Sequence, residues 1–504
     1  MSSSSQNVFS VSSTSMLPRG KACLNCKHRK MKCDGAQPVC GPCARLERRD
    51  CEYVQGQAQS STHSLEKKVA NLRARLKDLQ DAGSEGSRSN APSSRSSTPA
   101  PSPHAHGLQE IPAADMGRLM DYFFSQDQPL WFLYASRFRT AAMLPQDRPD
   151  SAPLALVNAV CLLSAACSPH YAPYEPLLLA RALSSLNDAL QRAPVSALQT
   201  HVLLAAYLLN RGRQLEGRVH LSNASNLAIS CGLHNVRSSR GGSQGGPIEP
   251  VPLVTMSAPR DQIAEGERIN GFWTVFALER VWGAALGAPA RIQPVLPSFP
   301  QGIRVDVPWP LSMSHYEHGW IDRGMLSSDT VWNFFRTGTG IWDEPNALSL
   351  VAKSAVLLER TSCPATDAAE AHALDARIAM LVPVTAADPR GRAAHVLLRG
   401  AMIQLYTRDS RALDAARGLA AGARILRPGP GDAFGFLEPA IGTVLPAACR
   451  VLIAASATGL DPSADRNLDS IQDVLAEWAP RSSLIGKKRV AHRNSPELLI
   501  DIST

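Results

Sequence analysis

Six cysteines fall between Cys23 and Cys51 at the spacing Cys23-x2-Cys26-x6-Cys33-x6-Cys40-x2-Cys43-x7-Cys51. This is one unit, C-x2-C-x6/7-C, written twice, and it leaves no room for an apolar core. A segment this short holds a fold only through disulfides or metal. The N-terminal Met1-Ser2-Ser3-Ser4-Ser5-Gln6 has no charged stretch followed by an apolar one, so no secretory signal is read there. Leu154 to Cys167, taken as the longest apolar run, falls short of the roughly 20 residues that span a bilayer. The chain is therefore expected to be soluble and intracellular with no membrane partner, and a reducing compartment favours metal over disulfides. Zinc takes four tetrahedral ligands, so six cysteines fill one site and leave two over. Two ions need eight bonds, which six thiolates supply if two of them bridge. The doubled unit predicts a binuclear cluster with two Zn2+ per chain; a disulfide knot, a zinc ribbon and an iron–sulfur site are the alternatives.

The net charge of +8 is concentrated near the cysteines. Residues 1–82 carry fourteen Lys and Arg against seven acids, and the rest of the chain is close to neutral. Lys27-His28-Arg29-Lys30-Met31-Lys32, read as a first short helix, has four cations and no acid, whereas Ala44 to Asp50 mixes signs. The first half is thus expected to face a polyanion, with a merely solvated face as the plain alternative.

The segment Ala22-Cys23-Leu24-Asn25-Cys26-Lys27-His28-Arg29-Lys30-Met31-Lys32-Cys33-Asp34-Gly35, then Pro38-Val39-Cys40-Gly41-Pro42-Cys43 and Cys51-Glu52-Tyr53, resembles the fungal Zn2Cys6 binuclear-cluster transcription factors. The resemblance implies Cys23 and Cys40 as the bridging thiolates, with structural zincs closed by Cys26, Cys33, Cys43 and Cys51. It also implies that Lys30 reads base edges of a CGG-like half-site in the major groove, where a lysine can donate to guanine O6 and N7. Lys27, Arg29 and Lys32 would neutralise phosphates, and Pro38 would shape the loop between the halves. The function implied is sequence-specific regulation of RNA polymerase II genes in the nucleus, on double-stranded DNA, with the transcription machinery or coactivators as partners.

Leu65, Val69, Leu72, Leu76 and Leu79 step by four, three, four and three, an a/d seam. So short a helix is marginal alone in water. A parallel dimerisation coil at 64–80, forming a homodimer or a heterodimer, is therefore expected after a linker at 54–63. An amphipathic helix folded onto the rest of the protein is the alternative.

Residues 1–19 and 81–109 are rich in Ser, Pro and Gly and are expected to be disordered. From 110 to 480 long apolar stretches at helical spacing predict a large all-α regulatory domain, with helices at Ser196–Asn210, Glu216–Cys231, Ile263–Leu286, Asn346–Thr361, Ala393–Tyr406 and Leu468–Trp478. Ser196 is expected to cap the first of these, whose Leu198, Val202, Leu203, Ala206 and Leu209 would share a face before Gly212, and Ser238–Pro259 reads as a loop. Gly217 to Ala228 with Gly232-Leu233-His234, and Glu267 to Arg280 with Gly287-Ala288-Pro289, resemble the middle homology region of the same family. Phe272, Trp273 and Phe276 read as core aromatics, His220 and His234 as packed histidines. With no H-E-x-x-H, Walker-type or G-x-S-x-G motif, no enzyme is expected. A basic tail at 481–504 carries Lys487-Lys488-Arg489, which with Arg29 to Lys32 suits nuclear import, and ends in the acidic–apolar Pro496-Glu497-Leu498-Leu499-Ile500-Asp501-Ile502, suited to a coactivator contact. The fold class expected is a Zn2Cys6 cluster at 20–53 plus a short coiled coil, then an all-α domain, joined by disordered linkers.

Overall fold

The computed structural model describes residues 22–46, 51, 111–126, 132–240, 254, 256–296, 299–322, 324–338, 346–363, 368–387, 389–407, 409–429 and 432–486. The expected coil (Leu65, Val69, Leu72, Leu76, Leu79), the Ser/Pro linkers and Lys487-Lys488-Arg489 lie outside them. The chain divides into two compact units, 1–104 and 105–504. In the first, α1 (Leu24–His28) and α2 (Gly41–Arg45) carry four of the six cysteines within or just before them.

The second unit is a helical body, and among its described residues β structure is limited to isolated bridges such as Ser238 with Ser327. Its helices are α3 (Ala113–Ser125), α4 (Ala135–Ala142), α5 (Leu154–Ala166), α6 (Glu175–Ser184), α7 (Leu186–Arg192), α8 (Pro194–Asn210), α9 (Gln214–Ser230), α10 (Gln262–Leu286), α11 (Met313–Glu317), α12 (Thr330–Thr337), α13 (Ala347–Thr361), α14 (Ala368–Ala387), α15 (Arg392–Leu405), α16 (Ser410–Ala421), α17 (Leu437–Ala457) and α18 (Ala464–Trp478).

Helix α8 begins two residues earlier than Ser196 because Pro194, whose fixed φ suits a first helical position, starts it. Ser196 therefore lies inside the helix and does not cap it. Nor do its apolar residues share one face: every residue from Ala197 to Asn210 is buried. Leu198, Val202 and Leu209 join the main core, while Leu203 and Ala206 join a second cluster with α3, α5 and α6. A helix buried all round is a central helix, and periodicity cannot show that. After a turn at Gly212, whose φ is +76°, α9 runs back along it. The approach is close: a Cβ on Gly217 would lie 2.6 Å from Leu209 Cγ.

The longest element, α10, starts where Asp261 Oδ1 accepts the Ala264 N–H (2.8 Å) and stops at Gly287, φ +66°. It is the spine of the main core. Phe272, Trp273 and Phe276 are fully buried; Trp273 stacks on Trp309 at 4.2 Å and donates its indole N–H to Pro308 O at 2.6 Å. Lys353 of α13, 1% exposed, places its ammonium 4.8 Å from the Trp309 ring.

Helix α17, and not Leu154 to Cys167, is the longer apolar run: over 21 residues it is long and apolar enough to cross a membrane by length and composition. Pro439 lies in its first turn and Pro446 within it. In the structure it packs against α10, α15, α16 and α18, and it opens on a buried acid. Residues 481–486, expected in the tail, also belong to the body, where Ser482, Leu484 and Ile485 are buried.

That acid is Glu438, which accepts from Asn210 Nδ2 at 2.9 Å and from Ser482 Oγ at 2.6 Å, fastening the last described turn to the ends of α8 and α17. Burial, outweighing these two bonds, pushes its carboxyl up to about 7. The folded protein thus holds this proton more tightly than the unfolded chain, whose glutamates titrate near about 4.3. The stabilisation is complete below that value and is lost as pH rises through 7, at up to roughly 1.4 kcal/mol per pH unit. Thermal unfolding from pH 5 to 8 should show the wild-type midpoint falling relative to Glu438→Gln; parallel profiles would contradict it.

Candidate metal centre and nucleic-acid face

Each C-x2-C pair straddles the start of a short helix. Cys23 precedes α1 and its sulfur accepts the Cys26 N–H at 3.4 Å; Cys40 precedes α2, with Pro42 in the first turn and Cys43 beside it. Residues three apart at a helix start point the same way, so both pairs face one centre. Cys33 and Cys51 arrive from irregular segments, and Cys51 Sγ accepts the Cys40 N–H at 3.2 Å.

The sulfurs lie 3.7 Å (Cys23–Cys40), 3.8 Å (Cys23–Cys43), 3.6 Å (Cys26–Cys40) and 4.0 Å (Cys26–Cys43) apart. Disulfide sulfurs would be about 2.05 Å apart, and all six cysteines are free. Four sulfurs at about 2.3 Å from a tetrahedral zinc are about 3.8 Å from one another, which these distances match. Two four-thiol groups form, Cys23–Cys26–Cys33–Cys40 and Cys23–Cys40–Cys43–Cys51, with all donor atoms within 4.8 Å. Cys23 and Cys40 are common to both, as two tetrahedral ions sharing two bridging thiolates require.

Without metal this packing divides the thiols: burial opposes ionisation of Cys23, but the bonds it accepts from Cys26 and Cys40 outweigh burial and lower it to about 6, whereas its neighbours are raised. Burial and the neighbouring Cys23 thiol push Cys26 up to about 12, and burial raises Cys40 further. Zinc has to displace these protons, so its affinity falls as pH falls. Bound zinc supplies charge compensation and cross-linking.

One acid supports the centre. Asp34 accepts from Gly41 N (2.9 Å to Oδ2) and Ala36 N (3.3 Å to Oδ1), closing the loop between the halves onto the start of α2. A Cβ on Gly41 would stand 2.3 Å from Asp34 Oδ2, so glycine is what admits the carboxylate. Sequence reasoning did not single out either residue, although Asp-Gly after the third cysteine is a turn signal.

The four cations are exposed but are not all on a helix, as the sequence suggested. Only Lys27 lies within α1; Arg29 is its C-cap, Lys30 follows, and Lys32 lies in the irregular segment beyond. Met31 N–H reaches back to Cys26 O (3.0 Å) and Lys30 N–H to Lys27 O (3.3 Å), a Schellman ending. Its left-handed residue is Lys30, φ +54°, where glycine is the usual occupant. A lysine in that conformation costs roughly 1–2 kcal/mol. Lys30→Gly should therefore stabilise the zinc-loaded cluster by about 1 kcal/mol in urea unfolding; a less stable variant would mean that the side chain itself supports the fold.

Of the histidines expected to be packed, His234 is buried, and His220 pairs its Nδ1 with His201 Nδ1 at 2.9 Å between α8 and α9. Burial lowers both.

Comparison with known proteins gives two family matches, the fungal Zn(2)-Cys(6) binuclear cluster domain over 21–60 and the fungal specific transcription factor domain over 120–299. The C6 finger domain transcription factor hasF of Aspergillus fumigatus is 45% identical over 73 residues, covering 12% of this chain and 9% of that protein. The notoamide biosynthesis cluster transcriptional coactivator notQ' of Aspergillus versicolor is 39% identical over 66 residues, covering 12% of this chain and 13% of its own. The chain thus spans about a tenth of the length of these relatives. The cluster domain, a binder of two zinc ions, coincides with the paired thiol groups, and by its matches to that domain and to the fungal specific transcription factor domain the chain is similar to the fungal Zn(2)-Cys(6) transcription factors.

Proposed function

We propose that the protein is a zinc-dependent, sequence-specific regulator of RNA polymerase II genes, acting in the nucleus on CGG-like half-sites. The reading rests above all on one observation: a zinc-competent double thiol group stands beside an exposed basic run, Lys27 to Lys32, that contains no acid. Lys30 donates to guanine edges in the major groove, and Lys27, Arg29 and Lys32 pair with phosphates. The module at 20–53 is followed by the linker at 54–63 and by the seam Leu65, Val69, Leu72, Leu76 and Leu79. That seam joins two chains, as a homodimer or with a related partner, on paired half-sites. The body carries a regulatory rather than a catalytic role, consistent with the fungal specific transcription factor domain matched there, and the transcription machinery or coactivators are its partners.

Selection of bound sites from random DNA with the full chain should return CGG-like triplets. Lys30→Ala should then relax discrimination at the guanines by about 1–3 kcal/mol. Lys32→Ala should weaken binding to all sequences alike and lower the salt slope by roughly 1. Equal losses for Lys30→Ala on specific and random DNA would refute its base-reading role.

A further inference from the structure

The outward face of α9 exposes two large apolar side chains among polar ones. Leu215 is 79% exposed and Val219, one turn on, 51%. Arg218 lies beside them, exposed and without an ion pair among the described residues. The face continues into a shallow recess lined in part by Leu221, Ser222, Trp282 and Arg291. Arg291 is exposed there and donates its Nε–H to Ser222 Oγ at 2.9 Å. Two apolar side chains are flanked by Arg218 and Arg291, while the acids nearby are already engaged, Glu216 with Arg213 at 2.6 Å and Glu279 with the Arg291 and Ile292 N–H groups at 3.1 Å, so the surface suits an apolar segment that carries acids.

The chain supplies such a segment at the right place. Ser483 Oγ donates to Asn210 O at 3.0 Å, so the last described turn ends against the end of α8, five residues before Leu215. Five residues of chain span at most about 18 Å. Residues 487–504, outside the described residues, leave from this turn. Leu498 lies twelve positions beyond Gly486, enough to reach roughly 40 Å. The tail begins with Lys487-Lys488-Arg489, which the arginines repel, and then turns acidic and apolar at Glu497-Leu498-Leu499-Ile500-Asp501-Ile502. Tethering so close to the surface sets an effective concentration of the order of mM, at which a weak apolar contact is already populated.

We infer that Glu497–Ile502 docks back onto the α9 face, placing its apolar residues against Leu215 and Val219 and its acids beside Arg218 and Arg291. This contact goes beyond the DNA-binding reading and does not depend on it. Hydrogen exchange of the full chain tests it. Amides of 497–502 should exchange about tenfold more slowly in the wild type than in Leu215→Asp/Val219→Asp. Exchange in α8 and α10 reports whether that variant keeps its fold. Arg218→Glu should cut the protection, and Glu497→Lys with Asp501→Lys added to it should restore part. Free-peptide rates for 497–502 in the wild type, protection unchanged by the α9 substitutions, or protection lost on dilution, the mark of a second copy's tail, would each overturn the inference.

Discussion

Chelating zinc from the full chain should unfold the segment 22–51, abolish DNA binding and leave the helical body folded, and metal analysis beforehand should return two zinc ions per chain. The reason is the composition of the small unit. Among its described residues the buried ones are Cys23, Cys26, Cys40 and Cys43, with Cys33 and Cys51 packed against them. Remove the metal and these become crowded thiols around helices of five residues each, too short to persist alone. Structural zinc contributes on the order of 10 kcal/mol or more to folding in comparable small modules, so nothing else there compensates for its loss. The body is different, because its core is a continuous apolar cluster built on α8 to α10, α13, α15 and α17. Cys23→Ser or Cys40→Ser should cost both ions, since each belongs to both thiol groups. One zinc per wild-type chain, or loss of body helicity on chelation, would contradict this account.

Glu359→Leu should destabilise the body by about 3–5 kcal/mol in urea unfolding, more than its partly exposed position suggests. Its partner is the reason. The Arg280 side chain has no exposed surface, lies 3.5 Å from the Phe276 ring centroid, and donates to Phe276 O (3.0 Å) and Ile292 O (2.6 Å). Burial lowers its pKa, and Glu359, an ion-pair partner at 2.9 Å, opposes that shift. Deleting Glu359 removes the ion-pair partner of a buried charge and leaves only the Glu279 carboxylate, already engaged with the Arg291 and Ile292 N–H groups, to offset its desolvation. The double variant Arg280→Met/Glu359→Leu should recover part of the loss, because removing both charges removes the desolvation penalty with them. A double variant worse than the sum of the single ones would show that the carbonyl bonds of Arg280 outweigh the ion pair.

Much of the body was legible because its helices carry local signals. The helix expected at Ile263–Leu286 is α10 to within a residue, since Asp261 and Gly287 mark its ends as chemistry along the chain. Asn346–Thr361 was equally readable, because Asn346 Oδ1 caps it by accepting from Ser349 N at 3.0 Å. Where the start signal was a proline, as at Pro194, the serine after it was mistaken for the cap. Charge partners left no such trace. Glu279, Arg291 and Ile292 are far from forming a motif, yet Glu279 Oε2 accepts both backbone N–H groups at 3.1 Å and so fixes the turn after α10.

By itself the sequence determined the metal chemistry. Six thiolates at a doubled spacing can hold two zincs if two of them bridge, and Cys23 and Cys40, the bridges that the resemblance implies, are the two cysteines common to both thiol groups in the fold. Only the tertiary structure decided the rest. It took Lys30 off the helix into a left-handed turn, made α8 a helix buried on every side, and brought Asn210, Glu438 and Ser482 together from distant parts of the chain. These outcomes depend on which surfaces meet, and desolvation acts on a charge according to its three-dimensional surroundings, which no local pattern of residues encodes.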